Sequence, residues 1–151
     1  MPVDSDTIQA HLMGKRAQIL AAVYLTGSPD VRIVESGQDS GPDLTASLLV
    51  NGVDDGRLFA VDTKGLLVFW DSVLADLSRN EAERYRKIPF PVALFVFSMS
   101  DEKGKWRWLR ELVAVGGASL VLRETGEFLP LDDTALEDIL TAVRNWYNRI
   151  K

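Results

Sequence analysis

The stretch from Asp39 to Gly65, DSGPDLTASLLVNGVDDGRLFAVDTKG, constrains the fold more than any other part of the chain. It holds two short apolar runs, Asp43 to Val50 and Arg57 to Lys64, and between them both Asn51-Gly52 and Asp55-Gly56 are turn chemistry. Two antiparallel strands joined by a hairpin are expected. Asp54-Asp55-Gly56 is read as the tip, which leaves Asp54 and Asp55 out of any site. In the second strand Leu58 and Ala60 fall on one face and Phe59 and Val61 on the other, the pattern of a central strand covered on both sides. Polarity enters only where the strands end. Asp43 stands behind Gly41-Pro42, and alternation puts Asp62 and Lys64 on one face. Charges at the end of a buried strand are costly unless they pair, bind an ion or reach solvent at the rim. Two carboxylates and an ammonium converging there suit a divalent cation and a phosphate.

The remaining elements are read in chain order. Asp6 to Leu25 has helical spacing at Ile8, Leu12, Ile19 and Val23, and Gly27 and Pro29 stop it. His11 lies in this helix and reads as a surface or satisfied polar residue. Val31 to Glu35 is a short strand, followed by a loop. A helix capped by Asp71 or Ser72 runs to about Lys87 and buries Val73, Leu74 and Leu77. Its second half is charged, and Glu83 and Lys87 form an i,i+4 pair typical of a solvated face. Arg84, Arg86 and Lys87 are candidates for a phosphate backbone, with Tyr85 available for stacking. Pro91 to Met99 is a buried strand. Lys105 to Leu112 is another, with Trp106 and Trp108 on one face as core and Arg107 on the other. Leu120 to Leu122 is an edge strand. Asp133 to Ile150 is a helix with a capping box at Thr134 and Glu137 and an apolar stripe through Leu136, Ile139, Leu140, Val143, Trp146 and Ile150.

This order predicts an α/β fold, a mixed central sheet flanked by helices on both faces, in one domain of 151 residues. No apolar run is long enough to span a bilayer, and the start MPVDSDTIQAH lacks the basic-then-apolar order of a signal peptide. A cytoplasmic protein without membrane contact is expected. With no cysteine and a single histidine, thiolate nucleophiles and Cys- or His-cluster metal sites are excluded. A metal here is held by oxygen, which means magnesium, manganese or calcium. The net charge of −5 argues against a surface wrapped in nucleic acid without excluding a local basic patch.

Pro42-Asp43, then Asp62-Thr63-Lys64 with eighteen residues between the two aspartates, resembles the PD-(D/E)xK motif of the nuclease superfamily that includes many restriction endonucleases. More narrowly, DSGPDL, FAVDTKG and IPFPVALFVF resemble the DUF4365 family of small PD-(D/E)xK-like domains, over about residues 14 to 108. The resemblance implies a restriction-endonuclease-like core and magnesium- or manganese-dependent phosphodiester hydrolysis of DNA, in defence against foreign DNA. It also implies a glutamate from the first helix at the site. Gln18 stands in that place, and a glutamine brings neither negative charge nor a proton acceptor.

In such a site Asp43 and Asp62, with a carbonyl near Thr63, are the metal ligands, Lys64 orients the attacking water or neutralises developing charge, and Gln18 positions a water. Glu35 and Asp39 are reserve ligands. Three readings stay open: a metal-dependent nuclease; a nuclease-fold subunit that binds nucleic acid or protein without the reaction; and an α/β interaction domain in which the motif is coincidental. A homodimer or a partner protein is compatible with each, and the sequence assigns no surface to either.

Overall fold

The computed structural model describes residues 5–36, 42–69, 85, 88–115, 119–123 and 127–149. Helix α1 (Ser5–Leu25) leads into an antiparallel meander of β1 (Val31–Ser36), β2 (Leu44–Val50) and β3 (Val53–Leu66). Strand β4 (Val92–Ser98) returns parallel to β3, and β5 (Gly104–Val115) and β6 (Ser119–Arg123) extend the sheet antiparallel. The strands lie in the order β1-β2-β3-β4-β5-β6, and the two-residue β7 (Leu129–Pro130) also pairs with β5. Helix α2 (Ala135–Arg149) closes the described chain. The fold is therefore α/β around a mixed sheet. The expected helix over 71–87, with Arg84, Arg86 and Lys87, lies outside the described residues apart from Tyr85.

Strand alternation sorts the core into two clusters. On one face Phe59 and Val61 join Leu44, Ala46, Phe95, Trp106 and Trp108 beneath both helices, through Ala17 and Ala21 of α1 and Ile139, Leu140 and Val143 of α2. On the other face Ala60, Val92, Leu94, Val96 and Leu109 pack with Tyr85. Among the described residues both helices cover the same face; the expected helix over 71–87, which would cover the other, lies outside them apart from Tyr85, which packs on that other face. Every side chain of β4 is buried, as its unbroken apolar run requires.

Two details differ from the sequence reading. The hairpin tip is Asn51-Gly52, with φ of 52° and 78°, the left-handed pair that a two-residue turn needs. Asp54-Asp55-Gly56 lies inside β3, where the register slips between Ser47↔Leu58 and Leu49↔Asp54. Gly56, at φ 77°, carries that bulge, and the hydroxyl of Ser47 donates to Asp54. The capping residue of α2 is Asp132 rather than Thr134, since its Oδ1 accepts the amides of Thr134 (3.1 Å) and Ala135 (3.0 Å).

Helix α1 sits close on β3. A Cβ added at Gly65 would lie 2.9 Å from the backbone carbonyl oxygen of Met13, so only glycine admits the helix at this depth. The buried side of α1 is correspondingly small, built on Ala17 and Ala21. Ile8, Leu12, Ile19 and Val23, whose helical spacing suggested the core side, face outward and are 48% to 66% exposed.

Candidate functional site

The candidate site lies where the β2/β3 ladder ends. The last pair on that side is Leu44↔Val61, and Asp43 and Asp62 are the next residues on the two strands. Beyond that point β2 offers no further backbone carbonyl, and the Asp43 side chain takes over. Its Oδ2 accepts the backbone N–H of Thr63 at 2.8 Å and the Thr63 hydroxyl at 2.8 Å. Its Oδ1 accepts Nε2 of Gln18, reaching down from α1, at 3.2 Å. Three of the expected site residues, Gln18, Asp43 and Thr63, therefore meet, although their segments are far apart in the chain.

Asp62 turns the other way. It shares the parity of Ala60, which packs in the second cluster, and is 1% exposed. The hydroxyl of Tyr85, itself 3% exposed, donates to Asp62 Oδ1 at 2.9 Å. A phenol donor satisfies one acceptor position of a carboxyl group whose burial without partners would be costly. Tyr85 thus faces the core beside Asp62 and is closed to base stacking. Its role was missed because hydrogen bonding between a strand end and a residue more than twenty positions away leaves no local signal. Lys64 follows on the Asp62 side of β3 and is half-buried.

A hard divalent cation takes oxygen ligands, and this donor set is made of oxygen. In the structure these oxygens serve other partners. Asp43 already accepts three hydrogen bonds, using most of the roughly four acceptor positions of a carboxylate. Asp43 is drawn toward α1 and Asp62 toward Tyr85 on the opposite face. Among the described residues no group of three Asp, Glu or His side chains is placed to hold a metal ion. Glu35 is described in its backbone alone, within β1, and Asp39 lies outside the described residues.

No protein-family model, no curated protein and no solved structure matches this chain. Among the described residues, no helix is long and apolar enough to cross a membrane.

Proposed function

We propose that this chain is a nuclease-fold domain of the PD-(D/E)xK kind that works as a protein-interaction subunit, with its rim carboxylates serving the sheet instead of a metal. The resemblance implies an α/β fold around a mixed sheet, and the mixed sheet of β1 to β6 is compatible with the fold half of the reading. The observation that carries the functional half is the set of three donors on Asp43. They satisfy the carboxylate that a hydrolase would give to its cation. The acidic balance and the outward apolar residues of α1 favour protein over nucleic acid as the partner.

The test is direct. Purified protein is incubated with labelled single- and double-stranded DNA in magnesium or manganese, and its melting is followed with and without the ions. The expected result is no cleavage and a melting temperature that the ions leave unchanged, because a ligand of the folded state must raise it. Metal-dependent cleavage that disappears in Asp62→Ala and Lys64→Ala overturns the proposal.

A second reading, metal-dependent phosphodiester hydrolysis with Asp43, Asp62 and the Thr63 carbonyl as the magnesium or manganese ligands, has one observation in its favour. Gln18 reaches Asp43 from the helix position where the resemblance places a glutamate. On that reading Gln18→Glu restores the missing charge and raises cleavage. DNA is then the substrate.

A further inference from the structure

The two helices on the same face of the sheet differ on their outward sides. Helix α2 presents Glu137, Asp138, Thr141, Asn145 and Asn148 to solvent, as a surface helix should. Helix α1 presents Ile8, Leu12, Ile19 and Val23. At 100° per residue these four fall within a stripe about 60° wide, opposite the small residues that meet the sheet. A helix that is apolar on both sides has a second surface to bury.

The spacing of the stripe specifies what can bury it. Ile8 to Leu12 and Ile19 to Val23 are both four-residue steps, so the stripe reads the same from either end about a midpoint between Lys15 and Arg16. A two-fold interface requires that if residue i meets residue j, then j meets i. This stripe meets that condition when two copies of α1 run antiparallel. Ile8 then faces Val23 of the second copy, about 11 Å along the axis from the midpoint, and Leu12 faces Ile19, about 5 Å from it. We propose that the chain self-associates through α1 in this antiparallel two-fold arrangement. The inference rests on reading the chain as a protein-interaction subunit and names its partner as a second copy.

Two further features agree. Val23, Leu20, Tyr24, Phe97 and Leu131 line an open groove of about 500 Å³ at the C-terminal end of α1. The antiparallel pairing brings the Ile8 end of the second helix over its mouth, so the groove continues the stripe. Lys15 and Arg16 flank the stripe on opposite sides, and Arg16 is ion-paired with Glu102. That pair neutralises one flank, while on the other Lys15 approaches Lys15 of the second copy. Salt weakens that repulsion, so association tightens as ionic strength rises. An acidic partner or an anionic membrane would show the opposite trend.

Sedimentation equilibrium on the full chain gives the test. We expect a concentration-dependent approach to twice the 16.8 kDa chain mass, strengthened by salt, and the mass of a single chain for Ile19→Asp with an unchanged circular dichroism spectrum. Because the chain has no cysteine, cross-linking reports the direction of pairing. Leu12→Cys mixed with Ile19→Cys should form a disulfide-linked pair, and neither variant alone should do so. A single-chain mass at every concentration, a dimer that survives Ile19→Asp, or binding to phosphatidylglycerol vesicles in place of self-association overturns the inference. A single-chain mass with no DNA cleavage removes the self-pairing and leaves the subunit reading intact. Cleavage by a dimer removes the subunit reading instead.

Discussion

Asp43 and Thr63 are joined by two hydrogen bonds to one oxygen: Oδ2 of the aspartate accepts the amide and the hydroxyl of the threonine, each at 2.8 Å. The aspartate continues the ladder one step past the end of β2. Removing it leaves a backbone N–H near the core without its acceptor. Asp43→Ala is therefore expected to destabilise the protein by about 1 to 3 kcal/mol in urea unfolding with an unchanged m-value, and Thr63→Val by less, since the amide bond survives. An Asp43→Ala protein as stable as the parent would contradict the structural role of this carboxylate.

Gln18→Glu distinguishes the two readings of the rim. Gln18 donates to Asp43 at 3.2 Å, and a glutamate there loses the donor and sets two like charges together. We expect a lower melting temperature at neutral pH that recovers as the pH falls and one carboxyl takes up a proton. A rise in metal-dependent DNA cleavage in this variant would point to the hydrolytic reading.

Gly65 is where α1 comes closest to the sheet. With Met13 O only 2.9 Å from an added Cβ, Gly65→Ala must push backbone against backbone. The expected cost is roughly 1 to 3 kcal/mol, the range for overpacking a tight contact, and hydrogen exchange in α1 should speed up more than in β4. Protection of α1 in Gly65→Ala equal to that in the parent would show that the helix rides freely at this point.

The phenol of Tyr24 is pushed up to about 12 by burial, against 10.0 ordinarily, and donates to the Asp132 carbonyl at 2.7 Å. A group whose neutral form is favoured by folding contributes stability that is complete below its unfolded pKa and is lost as pH rises toward the folded value. The melting temperature should therefore decline between about pH 10 and 12, and Tyr24→Phe should flatten part of that decline. Half-buried Tyr147, raised in the same direction chiefly by burial, adds to that decline.

Alternation and turn chemistry made the sheet legible. The central strands, the faces of Phe59 and Ala60, and the buried tryptophans follow from period-two patterning, and α2 follows from its single apolar stripe. The same logic placed α1 but chose its wrong side. Ile8, Leu12, Ile19 and Val23 outrank Ala17 and Ala21 in hydrophobicity, whereas close approach at Gly65 selects small residues for the sheet side. In the hairpin two glycine-containing dipeptides competed, and sequence offers no rule for which becomes the turn and which the bulge. At the rim, the spacing of Pro42-Asp43 and Asp62-Thr63-Lys64 brought the right segments together. Which way each carboxylate turns depends on donors from α1 and from Tyr85, neither of which lies near them in the chain.

Trp106 and Trp108 meet edge to face with centroids 5.5 Å apart, and Trp146 is buried on α2 against the edge of Tyr147. Among the described residues, these three of the chain's four tryptophans lie in the helix-bearing layer. The share of the near-ultraviolet dichroism that comes from these three rings will thus track the docking of α1 and α2, while Tyr85 reports on the layer around Asp62. A spectroscopist who watches Trp106, Trp108 and Trp146 alone sees one side of the sheet melt.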